Sequence, residues 1–371
     1  MPLFRRVLRR LQEEALLAIL LVLFIPLFLL APVSADGLAA LVDWKTIGAL
    51  AGLMVLSRGL EASGFLAFTG RRMLAEIRNE RTLAIVLVLF SAALSALITN
   101  DVALFIVVPI TLSLGLVAYL PVGRLVIFEA LAVNAGSAVS PIGNPQNLFL
   151  WQVSGASFTE FLLTMIPLSL CLMLLLMIAV PLGFSKKEIV LKQIDTGPEI
   201  NRKLLIISLL LYPVFLILTD QGFAMYAAVG LILLFLFISR EVLLGVDWLL
   251  LLVFIMMFVD LGLLATLPSV AAQANYIDVL PGGIFSAGVI LSQVMSNVPA
   301  AIFLEAFTDD WQLLAWGASV GGFGLGIGSL ANLIAMRLAR GQARWTEFHI
   351  WSVPLLITGS AIAFGLIFRV L

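Results

Sequence analysis

Long apolar stretches separated by short polar ones dominate the chain. Runs at 15–33, 45–66, 125–150, 159–184, 204–219, 223–239, 247–266, 312–336 and 350–369 each approach the ~20 helical residues that a hydrocarbon core about 30 Å thick requires. They predict about nine full spans. Two further runs, 83–117 and 283–308, are too long for one crossing and too short for two, and each carries a polar motif at its centre. Arms of about 12 to 17 residues, roughly 18 to 25 Å at 1.5 Å per residue, would reach the midplane and return. Both runs therefore predict re-entrant hairpins. A transmembrane barrel would alternate polar and apolar positions in segments of about ten residues, a pattern absent from this sequence.

The polar interruptions repeat. Leu94-Ser95-Ala96-Leu97-Ile98-Thr99-Asn100 returns 197 positions later as Leu291-Ser292-Gln293-Val294-Met295-Ser296-Asn297. Val42-Asp43-Trp44 returns as Val246-Asp247-Trp248, and Gly143-Asn144-Pro145-Gln146-Asn147-Leu148 returns more loosely as Gly328-Ser329-Leu330-Ala331-Asn332-Leu333. The order is the same in both halves, which indicates duplication. The predicted class is an all-α polytopic membrane protein of two inverted repeats. Repeat 1 covers 11–184, with hairpin 83–117 and broken helix 125–150. Residues 185–222 form a cytoplasmic linker and a connecting helix, and repeat 2 covers 223–371, with hairpin 283–308 and broken helix 312–336.

Composition agrees with a membrane protein: 62% of the 371 residues are hydrophobic and 12% charged, with a mean hydropathy of +1.15, too little polar surface for a soluble globule. The net charge of -1 says little about partners, because the charges are segregated. With the N-terminus inside, all of the 21 Lys and Arg except Lys45, Arg58 and Arg369 fall on the cytoplasmic side, as the positive-inside rule requires. Treating either hairpin as a single crossing would invert everything after it and move many of these charges outside. The C-terminus is then on the outer, periplasmic side. Residues 5–36 mimic a signal peptide, with four arginines, an apolar run and Val33-Ser34-Ala35, but the run is long for that role. It reads as an uncleaved first span. Cys171 is the only cysteine, and a packing role fits it.

The candidate chemistry lies at the breaks. A hairpin tip or helix break leaves backbone N–H and C=O groups that lipid cannot satisfy, so they must face protein, ions or water. Such points offer carbonyl and side-chain oxygens to a small cation, and helix N-termini to an anion. The tips supply Thr99, Asn100 and Asp101, and Ser296, Asn297 and Pro299; Pro299 suits a first helical turn. The breaks supply Ser137, Gly143, Asn144 and Asn147 in the first half and Ser329 and Asn332 in the second, beside the run Gly321 to Gly328. Interruptions at corresponding points of two halves are the best sequence pointer to a transport site.

Ionisable residues inside spans are few and costly. Asp101 stands beside a tip where the other half has Val298, and reads as a proton- or cation-coupling residue or as a cap for the second arm. Asp260 is a second candidate proton carrier. Arg58 and Glu61, three apart on one helix, are expected to pair. Glu129 and Glu305 are placed nearer the membrane surfaces in solvated or capping roles, and His349 at the cytoplasmic edge of the last span, away from any relay. With one histidine, no H-E-x-x-H and no P-loop, neither proteolysis nor ATP hydrolysis is expected. No cofactor, resident metal or nucleic-acid partner is expected.

Ile98-Thr99-Asn100-Asp101, Asn134-Ala135-Gly136-Ser137 leading to Gly143-Asn144-Pro145-Gln146-Asn147, and Ser292-Gln293-Val294-Met295-Ser296-Asn297-Val298-Pro299 resemble the ion transporter superfamily. The resemblance is to the branch of citrate-metal symporters, arsenite permeases and sodium/proton antiporters, especially its short bacterial inner-membrane members. It implies a scaffold and a moving transport domain, tip and break motifs that hold ions and substrate, and dimerisation as in elevator-type relatives. Thr-Asn-Asp and Ser-Asn-Val-Pro depart from the Ser-Asn-Thr tips of the dicarboxylate relatives, so a two-sodium dicarboxylate site does not carry over. The expected function is secondary transport of a small anion or oxyanion, citrate-like or arsenite-like, coupled to H+ or Na+. The alternative is Na+/H+ antiport through Asp101.

Overall fold

The structure is a computed structural model that describes residues 15–74, 77–189, 200–274, 276, 277 and 279–370. The arginines expected inside at the N-terminus and most of the predicted linker, residues 190–199, lie outside the described residues. Among the described residues every regular element is helical. Four of the nine predicted spans are single helices long and apolar enough to cross a membrane: α9 (Phe158–Gly183), α10 (Arg202–Asp220), α13 (Trp248–Thr266) and α19 (Trp345–Val370). A fifth is bent, α3 (Trp44–Ala62) meeting α4 (Phe65–Leu74) at 54°; Gly64 turns the chain there with φ +75°. Two are shorter apolar helices, α1 (Ala15–Leu30) and α11 (Ala224–Ile238). The last two are interrupted, as α7 (Val122–Ser137) with α8 (Pro145–Ser154), and α17 (Trp311–Gly321) with α18 (Leu330–Leu338). Polar residues and glycines cut these runs, so fewer helices reach crossing length than the apolar stretches suggest.

The Val-Asp-Trp echo is a local structure made twice. Asp43 caps α3 by accepting the Thr46 N–H at 2.6 Å, and Asp247 caps α13 by accepting that of Leu250 at 3.4 Å. The following indoles reach back over a short preceding helix: Trp44 Nε1 donates to the Ala39 carbonyl at 3.0 Å and Trp248 Nε1 to that of Leu243 at 2.9 Å. An aspartate at the N-cap satisfies an otherwise orphaned backbone donor. The adjacent tryptophan sets the angle at which the chain enters the helix.

Both predicted hairpins are helix pairs, with bounds that differ from expectation. The first is α5 (Glu80–Leu97) and α6 (Asn100–Val117); the second is α15 (Gly283–Met295) and α16 (Asn297–Glu305). Asn79 accepts the Thr82 N–H and starts α5 three residues before the apolar run. The resulting arm of 18 residues has itself the length and hydropathy of a crossing helix. The return arm α16 has only nine residues and ends before the polar stretch in which Asp310 caps α17.

Helix partners correspond between the halves. Arm α5 packs on α7 as α15 packs on α17, and α11 packs on α3 as α13 packs on α1. Small residues set the closest approaches: a methyl group on Gly136 of α7 would lie 2.3 Å from the Ala92 carbonyl oxygen of α5, and one on Gly317 of α17 2.4 Å from that of Phe285 in α15. Membrane helices associate through such close backbone contact, since lipid tails are as apolar as leucine. The outward face of α9 carries Leu163, Leu170, Leu174 and Ile178, all more than half exposed, a surface suited to acyl chains rather than water.

Candidate functional site

The first tip rests on the first break. Helix α5 stops at Leu97, Thr99 occupies the N-cap of α6 in extended conformation, and the Asn100 N–H donates to the Gly143 carbonyl at 2.8 Å. Gly143 is required there, because a Cβ would stand 2.4 Å from the Ser137 carbonyl oxygen and 2.8 Å from that of Ser95. Ser95 Oγ donates to the Val133 carbonyl at 3.0 Å and binds the hairpin to α7. Thr99 and Asn100 are buried, whereas Asp101 is only half-buried.

Within the first break, Asn144 caps α8 by accepting the Asn147 N–H at 2.9 Å and donates to Ser137 Oγ at 3.1 Å; Pro145 takes the first helical position, where no N–H is needed. Asn147 Nδ2 donates to the Ala138 and Ser140 carbonyls at 3.0 and 3.2 Å, so the side chain replaces helix bonds that the break forfeits. In the second break Asn332 Nδ2 does the same, donating to the Gly322 carbonyl at 2.9 Å. Ser329 caps α18 through the Ala331 N–H.

The two breaks meet through Asn134. Its Nδ2 donates to Asn332 Oδ1 at 2.8 Å and to the Gly322 carbonyl at 3.1 Å, while its Oδ1 accepts from Ser329 Oγ at 3.0 Å. Every group in this cluster is buried, where an unmet polar group costs roughly 1–3 kcal/mol.

The second tip is strained. Ser296, between α15 and α16, has φ +76° and ψ 154°, a backbone region that is almost exclusively glycine's. Asn297 begins α16 with its amide against the second break, 3.2 Å from where a methyl group on Gly322 would lie. Pro299 falls in the first turn of α16. Gln293 ties α15 to the same break: Nε2 donates to the Gly321 and Phe323 carbonyls at 2.7 and 3.1 Å, and Oε1 accepts the Leu325 N–H at 2.8 Å.

Ser296 Oγ at this tip, Asn147 Oδ1 in α8 and Ser319 Oγ in α17 are buried and lack a hydrogen-bond partner among the described residues. The elements that carry them, the start of α16, α8 and α17, pack against one another. Buried hydroxyl and amide oxygens without a protein partner are suited to a small cation or to a ligand donor.

The predicted tip and break residues thus converge, except that the Asp101 side chain makes no bond to the breaks. Asp260 lies in α13, packed against α16, with both carboxyl oxygens buried and without a partner among the described residues. Arg58 and Glu61 form the expected pair at 2.8 Å. Glu129 departs from its expected solvated position: it is completely buried and accepts from Thr111 Oγ1, because it faces α6 in the body of α7 rather than the end of that helix. His349 is nearer the site than expected, since its Nε2 accepts the Gly326 N–H of the second break at 3.2 Å. Asn134, Gln293 and Ser319 were not among the predicted site residues, although Gln293 stands inside a repeated motif, Asn134 heads the stretch Asn134-Ala135-Gly136-Ser137, and both were legible as polar residues in apolar helices.

The chain belongs to the citrate transporter family, whose model matches residues 9–321. It is 42% identical to inner membrane protein YbiR of Escherichia coli K12 over 97% of each chain. It is 33% identical to the uncharacterized transporter MJ0456 of Methanocaldococcus jannaschii over 83% of this chain and 84% of that one. A shorter match, 33% identical over 36% of this chain and 28% of the other, is to the silicon efflux transporter LSI3 of rice.

Proposed function

We propose that this transporter is a secondary active carrier of a small anion or oxyacid, citrate-like or arsenite-like, working by alternating access and driven by H+ or Na+. The observation that carries the reading is Asn134, which joins the two broken helices by donating to Asn332 and accepting from Ser329. Interrupted helices meeting at one buried point, each beside a hairpin tip, are the arrangement in which carriers hold substrate and coupling ion. The unpartnered oxygens of Ser296, Asn147 and Ser319 offer ligands to the coupling ion. The starts of α6 and α16 offer backbone N–H groups to substrate oxygens. Thr99, Asn100, Ser137, Gly143, Asn144, Asn297, Pro299, Ser329 and Asn332 shape the same place.

Two inverted repeats account for the correspondences. The same sequence of elements occurs in both halves, and Asp43-Trp44 and Asp247-Trp248 make the same cap and indole contact. Asn147 and Asn332 brace equivalent breaks. The distribution of positive charges supports an N-terminus and linker inside with both hairpins re-entrant, arm α5 included. The rice relative described as a silicon efflux transporter adds uncharged oxyacids to the substrate class, since silicic acid, like arsenite, carries no charge near neutral pH.

Na+/H+ antiport is the second reading, favoured by Asp260, whose carboxyl has no partner among the described residues. Proteoliposomes under an imposed sodium or proton gradient separate the two. Uptake of citrate, arsenite or silicic acid that follows one gradient and is lost in Asn134→Ala supports the carrier. Sodium-proton exchange with no added substrate, abolished by Asp101→Asn or Asp260→Asn, would replace it with the antiporter. Unitary currents in a bilayer would overturn both.

A further inference from the structure

A cavity of about 670 Å³ opens where four helices of the first half end, away from the tips and breaks. The start of α5 contributes Glu80 and Arg81, the start of α7 contributes Arg124, the end of α9 contributes Leu182, and Tyr119 and Lys187 come from adjoining loops. Its inner wall is cationic and held in place. Arg81 Nε and Nη2 donate to the Phe184 and Pro181 carbonyls at 2.9 and 3.2 Å. Arg124 Nε binds Glu347 at 2.6 Å and Nη1 donates to the Gly183 carbonyl at 2.7 Å. A guanidinium has five N–H donors, and these bonds use two on each. Lys187 Nζ stands 5.4 Å from the Tyr119 ring centroid, a cation–π distance. Glu80 accepts from the Ser185 N–H and hydroxyl. With Glu347 counted, three cations face two carboxylates among the described residues, leaving a surplus of one positive charge there.

The outer wall is apolar. Leu182 is 77% exposed and Tyr119 93% exposed, and both line the cavity. A small phosphate ion would find the cations but leave these side chains bare. A molecule with a phosphodiester head and acyl tails would cover both, its single negative charge matching the surplus.

We infer that this cavity is a binding site for the headgroup of an anionic phospholipid, with Arg81, Arg124 and Lys187 around the phosphodiester and the acyl chains along Leu182 and Tyr119. Basic pockets between the ends of membrane helices recognise lipid headgroups by this chemistry. The site rests on the cavity alone and is independent of the transport reading.

The test is the thermal midpoint of the delipidated full chain in detergent, with phosphatidylglycerol, phosphatidylcholine or sn-glycerol 3-phosphate added, for the wild-type chain, Lys187→Glu and Lys187→Arg. A ligand that binds the folded state raises the midpoint. Phosphatidylglycerol is expected to raise it well beyond phosphatidylcholine. Lys187→Glu should remove more than half of that rise and Lys187→Arg should retain it, while glycerol phosphate has no effect. Native mass spectrometry, counting phosphatidylglycerol bound to each variant, gives the same comparison if Lys187→Glu lowers the midpoint without lipid. Equal responses to the two lipids, equal binding by Lys187→Glu and the wild-type chain, or a matching rise with glycerol phosphate alone would overturn the site.

Discussion

Asn134 Nδ2 lies 2.8 Å from Asn332 Oδ1, so an amide of the first broken helix and an amide of the second share a hydrogen bond across nearly two hundred residues of chain. Asn332 also braces its own break through Gly322. The contact between the helices and the shape of one of them therefore depend on the same side chain.

Asn134→Ala removes three hydrogen bonds at once and leaves Asn332 Oδ1 and Ser329 Oγ without that partner. A loss of roughly 2 kcal/mol in stability is expected, since one buried polar group left unmet costs about 1–3 kcal/mol. Uptake into proteoliposomes should fall at least tenfold, with helix content by circular dichroism unchanged. Wild-type uptake in this variant would separate the Asn134 contact from transport.

Gly143→Ala should be far more damaging than its size suggests. The added methyl group meets two backbone carbonyls, at 2.4 and 2.8 Å, which cannot yield as a flexible side chain can. Overpacking of this kind typically costs ~1–3 kcal/mol, and here the first tip must also shift away from the break. Gly365→Ala is the control: its methyl group meets nothing within 4 Å, so the helix should gain roughly 0.5–1 kcal/mol. Thermal midpoints of the two variants should move in opposite directions.

Ser296→Gly separates stability from function. Glycine relieves the φ of +76°, which should raise stability by roughly 1 kcal/mol, while deletion of the hydroxyl removes one of the three unpartnered oxygens. A higher thermal midpoint with weaker apparent affinity for the coupling ion is expected. Ser296→Ala keeps the strained backbone and should lose affinity without the gain. Unchanged ion dependence in both variants would remove Ser296 from the ion site.

Asp43→Ala should cost more than Asp247→Ala. The cap bond is 2.6 Å at Asp43 and 3.4 Å at Asp247, and loss of a good N-cap costs about 1 kcal/mol. Thermal denaturation should rank the variants in that order, and the reverse ranking would mean that tryptophan packing rather than the cap sets the entry of each helix.

The positions of the helices, the helix pairs at both predicted hairpins and both breaks were legible because each depends on local chemistry, whereas fewer helices reach crossing length than the apolar runs predict, because glycines and polar residues shorten them. Apolar length predicts a buried helix, and clustered Gly, Pro and Asn forbid its continuation at Gly143-Asn144-Pro145. The tip residues were legible because the same short phrase occurs twice. The burial of Glu129 was not legible, because it depends on Thr111 approaching from α6, a contact no local pattern specifies. The roles of Asn134 and Gln293 lie in contacts with residues far along the chain, and no local pattern specifies which polar residue in a helix will be chosen. His349 was set aside for its place at a helix end, yet the break it supports at Gly326 folds back to that end.

The short pairing between the start of α5 and the segment after α9 has a consequence for folding. The Ile189 N–H donates to the Arg78 carbonyl, and the Glu80 and Arg81 N–H groups to the Lys187 and Ser185 carbonyls. The chain between is thereby closed into a loop that holds the first hairpin, the first broken helix and α9. Its closure entropy is lost once for the whole segment, so these helices are positioned to form and open as one cooperative unit. Amide exchange along them should therefore report a shared opening, slower than that of the bent helix Trp44–Ala62 and Phe65–Leu74 that precedes the loop.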